Sequence, residues 1–183
     1  KHGYANASIN KNTYKIPIIQ LETKASYIIA ENINFVKNKK QRFSGTATIK
    51  PSTISLRDIQ PFVSTKMPDV VFSLDASLRL NDNKLKIPNL AVSEKSRNVE
   101  LQVKGEYSNA QDFNVDVKKL NIKSPLLDNI SGMFQTDKTL TQIIKNINRV
   151  DLQGYVRKHY SSLTAKANVK TYTGDILIDA KRE

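Results

Sequence analysis

Phe72-Ser73-Leu74-Asp75-Ala76-Ser77-Leu78-Arg79-Leu80 sets an apolar residue at every second position and a polar one between. Successive side chains of a strand point to opposite faces, so this spacing predicts a strand with one dry and one wet side. Val99, Leu101, Val103, Gly105 and Tyr107 repeat the pattern against Glu100, Gln102, Lys104 and Glu106. Residues 69–80, 85–92, 98–107 and 113–122 read as a meander, with Asn81-Asp82-Asn83 as its first turn. Connections this short join only antiparallel neighbours.

Two of these strands change phase midway. Leu85 and Ile87 give way to Leu90 and Val92 across Pro88, and Val115 and Val117 give way to Leu120 and Ile122. Such a slip marks a β-bulge, which bends and twists its strand, and bulges recurring in one sheet imply a sheet that curves.

The rest of the chain follows suit. Residues 13–20 read as a strand whose Pro17 suggests an edge. In 25–36 the alternate residues Tyr27, Ile29, Ile33 and Phe35 form an apolar face on which Glu31 also falls, predicting a bulge or a groove rim there. Phe43, Gly45, Ala47 and Ile49 make the next strand. Pro51 then breaks the pattern, and Ser55-Leu56-Arg57-Asp58 resembles a capping box opening a short helix with docking residues Ile54, Leu56, Ile59, Phe62 and Val63. Ser124-Pro125 starts a second short helix running to Met133 or Phe134, whereas residues 139–147 suit helix or strand equally. Strands return at Val150, Leu152, Gly154 and Val156, then at Leu163, Ala165, Ala167 and Val169, then at Ile176, Ile178 and Ala180.

The fold class is therefore mainly β: a curved antiparallel sheet with one or two short helices. Residues 1–12 read as a flexible lead-in and 13–183 as a single elongated β-repeat domain. Starting at Lys1 and without a signal-peptide pattern, the chain reads as a segment of a longer polypeptide whose anchoring elements lie outside it. No cysteine is present, which rules out disulfides and thiolate metal sites. The net charge of +12 favours anionic neighbours, or serves to keep a sheet surface soluble and its edges unpaired.

A glycine-centred unit recurs as Phe43-Ser44-Gly45-Thr46-Ala47, Val103-Lys104-Gly105-Glu106-Tyr107 and Leu152-Gln153-Gly154-Tyr155-Val156. The run Ile54-Ser55-Leu56-Arg57-Asp58-Ile59-Gln60-Pro61-Phe62 with the strand after it resembles the translocation-and-assembly-module TamB proteins and their AsmA relatives. So does Leu152-Gln153-Gly154-Tyr155-Val156 with Val169-Lys170-Thr171-Tyr172-Thr173-Gly174-Asp175-Ile176. The likeness covers roughly residues 25–180 and rests on repetitive pattern. It implies a periplasmic part of an inner-membrane-anchored envelope protein, with a curled antiparallel sheet forming a β-taco-like groove, greasy inside and polar outside. Phospholipid transport between the inner and outer membranes, outer-membrane protein assembly, or both, is the function implied, with acyl chains and outer-membrane assembly proteins as partners.

From the residues alone, an apolar face with so few helices is covered by a second sheet, by closure into a barrel, or by curling around a groove. The groove reading assigns Phe72, Leu74, Leu78, Leu101, Val103, Phe113, Val115, Leu163 and Val169 to the apolar lining. It assigns Lys37, Lys39, Lys40, Arg42, Arg157 and Lys158, in two basic turns, to anionic headgroups. The alternative is a closed β-sandwich interaction module that binds an anionic protein or glycan through its basic surface. No catalytic, cofactor or metal motif stands out: His2 and His159 fall in a lead-in and a turn, and no HExxH, GxSxG, P-loop or dinucleotide fingerprint is present. Nucleic acid is not expected as a partner, because the aromatics follow the apolar face.

Overall fold

The computed structural model describes residues 2–62, 69–82, 84–123 and 148–182. The strands are β1 (His2–Ala5), β2 (Ser8–Asn10), β3 (Thr13–Glu22), β4 (Tyr27–Lys37), β5 (Phe43–Ser55), β6 (Val71–Asn81), β7 (Lys84–Glu94), β8 (Val99–Asn109), β9 (Asp112–Lys123), β10 (Arg149–His159), β11 (Ser162–Thr171) and β12 (Gly174–Arg182). They form one antiparallel sheet in which β3 to β12 pair in chain order, and β1 and β2 both pair with β3. The sheet is open and not closed into a barrel. The alternating stretches all became strands, with ends that differ somewhat from those the pattern marks. The second helix, from Ser124, and residues 139–147 lie outside the described residues.

Both expected bulges are present. Between Ile87 and Leu90 the register of β7 slips against both neighbours, around Pro88. The register of β9 slips around Lys118 against β8 and β10. Pro51 also marks a bulge, where the sequence suggests an end: β5 continues to Ser55 after slipping between Ile49 and Ser52. Here the nearly fully buried Ser52 supplies what the ladder lacks, its Oγ accepting from Ile29 N at 3.0 Å and donating to Lys50 O at 2.7 Å.

A further irregularity spans two strands at once. Asn32 takes the left-handed conformation with φ 54°, which Asn tolerates better than most residues. Ile16 faces Ile33 and Ile19 faces Ala30, so β3 and β4 both change phase around Pro17 and Asn32 and their mutual register survives. Pro17 sits in the gap between β1 and β2, where the outer side of β3 has no partner among the described residues, the edge position a proline tolerates. The phase change also corrects the face read for this strand. Ile28, Ala30, Ile33 and Phe35 share the apolar side, while Tyr27, Ile29 and Glu31 turn to the polar side, where Glu31 meets Lys50 at 3.5 Å.

The bulges fall in a band across the middle of the strands, so successive strands bend near one line. Residues 1–12, expected as a loose lead-in, carry β1 and β2, two short and fully exposed strands that occupy the outer side of β3.

The first helix is as short as expected but covers less. Ser55 caps α1 (Leu56–Ile59), its side chain accepting from Arg57 N, and a 3₁₀ turn over Gln60–Phe62 follows. Asp58 bonds to the β3–β4 turn. Its carboxylate accepts from the hydroxyls of Thr23 and Ser26, while Ser55 N donates to Ser26 Oγ at 2.9 Å. This ties the β3–β4 turn to the end of β5. Phe62 is 85% exposed and Ile54 belongs to β5, so the helix does not dock over the sheet.

Candidate functional site: an uncovered apolar face with a basic margin

Register assigns every strand residue to a side, because directly opposed residues share a face. Starting from Leu101, the apolar side passes through Val92 and Leu74 to Ser52 in one direction, and through Leu120, Leu152, Val169 and Ile176 in the other. A second row runs from Val103 through Val117, Gly154 and Ala167 to Ile178. All nine residues assigned to the lining, Phe72, Leu74, Leu78, Leu101, Val103, Phe113, Val115, Leu163 and Val169, lie on this one side. With strands about 4.8 Å apart, its ten spacings give an apolar surface roughly 48 Å long.

That surface is not sealed. Among the described residues only Ala76 (2%) and Val99 (8%) are buried apolar side chains; Val115, Tyr107, Ile176 and Ile178 are openly exposed. Extensive contacts run only between neighbouring strands, so no second layer covers the face among the described residues. A closed sandwich with a filled core is therefore not the architecture of these residues.

The glycines of the repeated unit sit on the same side, where the backbone of the next strand comes close. A Cβ at Gly154 would meet the Lys166 carbonyl oxygen and lie 2.7 Å from Ala167 Cα, and one at Gly45 would run into Asn34 O and the Phe35 ring. Their neighbours fill part of the space that a side chain would take.

The opposite face is polar and cross-linked by charge. Lys119 Nζ meets Glu100 at 2.6 Å, Lys118 meets Asp116 at 2.9 Å and Lys166 meets Asp179 at 2.9 Å. The hydrogen bond from Lys119 holds the Glu100 carboxyl below its ordinary range, and Lys118 does the same for Asp116. Burial pushes Asp151 up, but hydrogen bonds from Arg149 and Asn121 outweigh it and its carboxyl is low. Lys118 and Lys166 are raised by Asp116 and Asp179. These pairs are solvent-screened and leave the outer face well hydrated.

The two basic turns come to the same end of the sheet. Turns β4–β5, β6–β7, β8–β9 and β10–β11 all lie there because the strands follow one another as hairpins. Lys37 closes β4 on the apolar side, its Nζ 5.7 Å from the centre of the Phe43 ring, and Lys39, Lys40 and Arg42 fill the turn beyond. Lys158 lies on the apolar side opposite Phe113; Arg157 lies on the polar side against the Tyr155 ring at 4.5 Å. Sequence reasoning missed Tyr14, Ile16, Ile19 and Leu21 as lining residues. The phase change at Pro17 hides their common face, and Pro17 followed by two isoleucines was its one sequence signal.

No protein-family model matches the chain, and neither a curated protein nor a solved structure matches it.

Proposed function

We propose that this chain is a non-enzymatic lipid conduit of the cell envelope, a periplasmic segment of a TamB/AsmA-like protein. Its apolar face takes up phospholipid acyl chains in transit between the inner and outer membranes, and the same face serves outer-membrane protein assembly. One observation carries this reading: a continuous apolar surface crosses the sheet with no second layer over it among the described residues. Unpartnered apolar area of this extent in a water-facing protein marks an interaction site. Each methylene moved from water onto apolar surface gains about 0.8 kcal/mol, so a chain of a dozen or more is held by up to ~10 kcal/mol when fully covered. None of those contacts is directional, which lets the hydrocarbon slide along the rows.

The test is lipid capture. The purified protein is expected to carry phospholipid into native mass spectrometry and to withdraw fluorescent phospholipid from vesicles. Leu78→Asp and Val115→Asp should lower that uptake while the far-ultraviolet spectrum keeps its β signature. A wild-type protein that binds and withdraws no lipid overturns the proposal.

A further inference from the structure

We propose that the hairpin-tip margin is a headgroup rail. It holds the phosphate groups of phospholipids whose acyl chains lie on the apolar face, and so sets which way round a lipid lies across the strands. The inference rests on the conduit reading and adds a polarity to it.

The two ends of the strands differ in charge. At the tip end, cations stand in successive turns and strand ends: Lys11, then Lys37 to Arg42, then Lys84 and Lys86, then Arg157 and Lys158. The carboxylates at the same end are already engaged. Asp82 accepts from Asn38 at 3.0 Å, Glu106 pairs with Lys86, and Asp112 faces His159 at 3.3 Å. Lys39, Lys40, Arg42, Lys84 and Lys158 have no ion-pair partner among the described residues. At the other end the charges alternate in sign, and several neutralise one another: Arg57 with Asp69, and Arg149 with Asp151 at 2.7 Å. The excess positive charge of the described sheet is thus concentrated along one margin.

Aromatic rings mark the same margin on the apolar side. Tyr14 and Phe43 stand 6.3 Å apart, and Tyr107 opposes Phe113 across β8 and β9. Rings with an apolar body below a row of ammonium and guanidinium groups form the pattern of a hydrocarbon–water boundary. A nucleic acid or an acidic protein would want the cations without an apolar slope beneath them. Strands of eleven residues extend ~36 Å, more than twice the ~15 Å depth of one leaflet's hydrocarbon. A lipid with its phosphate at the tips therefore has sheet beneath the whole length of its tails.

The experiment compares two charge-matched variants in the full chain. One replaces Lys39, Lys40, Arg157 and Lys158 with Gln; the control replaces Lys24, Lys95, Lys123 and Lys170, at the opposite end, with Gln. Uptake of fluorescent phosphatidylglycerol and of diacylglycerol with the same tails is measured from vesicles, with circular dichroism confirming that both variants fold. The tip variant should lose about tenfold in phosphatidylglycerol uptake, the sum of several screened surface contacts, and keep its diacylglycerol uptake. The control should match wild type, and raised salt should mimic the tip variant. Equal phosphatidylglycerol uptake by all three proteins overturns the rail and leaves the conduit standing; no uptake of either lipid by wild type overturns both. Loss of RNA-oligonucleotide binding in the tip variant, with lipid preference intact, would assign the margin to nucleic acid and refute the proposal.

Discussion

Replacing Leu101 with Asp distinguishes an open face from a core. Leu101 lies near the start of β8 on the apolar side, opposite Val92 and Leu120, and is only half-buried. Full burial of a leucine side chain is worth about 1.5–3 kcal/mol, so the half present here is worth about 0.8–1.5 kcal/mol. The new carboxylate keeps its water on the open side and meets no burial penalty. With a urea dependence of about 2 kcal/mol per molar for a sheet of this size, the midpoint should fall by roughly 0.4–0.75 M. In a sealed core the same change strands a charge, costs several kcal/mol and abolishes the fold. Urea titration followed by circular dichroism, run beside phospholipid uptake, reads both sides: uptake should drop steeply while stability drops slightly. Wholesale unfolding of Leu101→Asp would refute the open face, as would unchanged uptake in a folded variant.

Gly154→Ala should destabilise by about 1–3 kcal/mol, because its methyl group meets backbone of β11 and not a movable side chain; Gly3→Ala, with its nearest atom 3.9 Å away, should be close to neutral in the same thermal melts. Asp58→Ala removes the acceptor of the Ser26 hydroxyl and leaves Thr23 only its longer bond to the Ser26 carbonyl, and should cost about 1–3 kcal/mol, with amide exchange in the β3–β4 turn rising first. Glu100, Asp116 and Asp151 have carboxyls held below their ordinary range. Their contribution is complete above the ordinary carboxylate pKa of about 4 and is lost as pH falls through the lowered values. Urea midpoints should therefore stay level from about pH 8 to 5 and decline below about pH 4, and an equal decline between pH 8 and 5 would contradict the assignment. Leu177, 81% exposed in the uncovered edge strand β12, should self-associate less as Leu177→Lys, read by light scattering with an unchanged melting curve.

Much of this architecture was legible in the residues, for one physical reason. Period-two patterning is local, and a sheet whose strands pair in chain order needs nothing but local information to set its faces. Leu74, Leu101 and Val169 therefore reached the right side from sequence alone, and so did the slips at Pro88 and after Val117. The reading failed where a backbone irregularity carried no pattern break of its own. Asn32 turned Tyr27 and Ile29 outward, although their spacing to Ile33 suggests one face. Pro51 looked like a stop because the hydroxyl of Ser52, which keeps the ladder supplied beside it, leaves no mark in a hydropathy pattern. The role of Asp58 depends on a turn more than thirty residues earlier, which no local rule reaches. That both basic turns share one margin follows from the even number of strands between them, once each strand is known to be a strand.

Because the order of strands along the chain is also their order in space from β3 to β12, a polypeptide delivered N-terminus first acquires each new partner as soon as the next segment arrives. No segment waits for a distant mate, and no crossover must be threaded afterwards. Growth by duplication would lengthen the greasy track by one hairpin at a time and leave its cross-section unchanged.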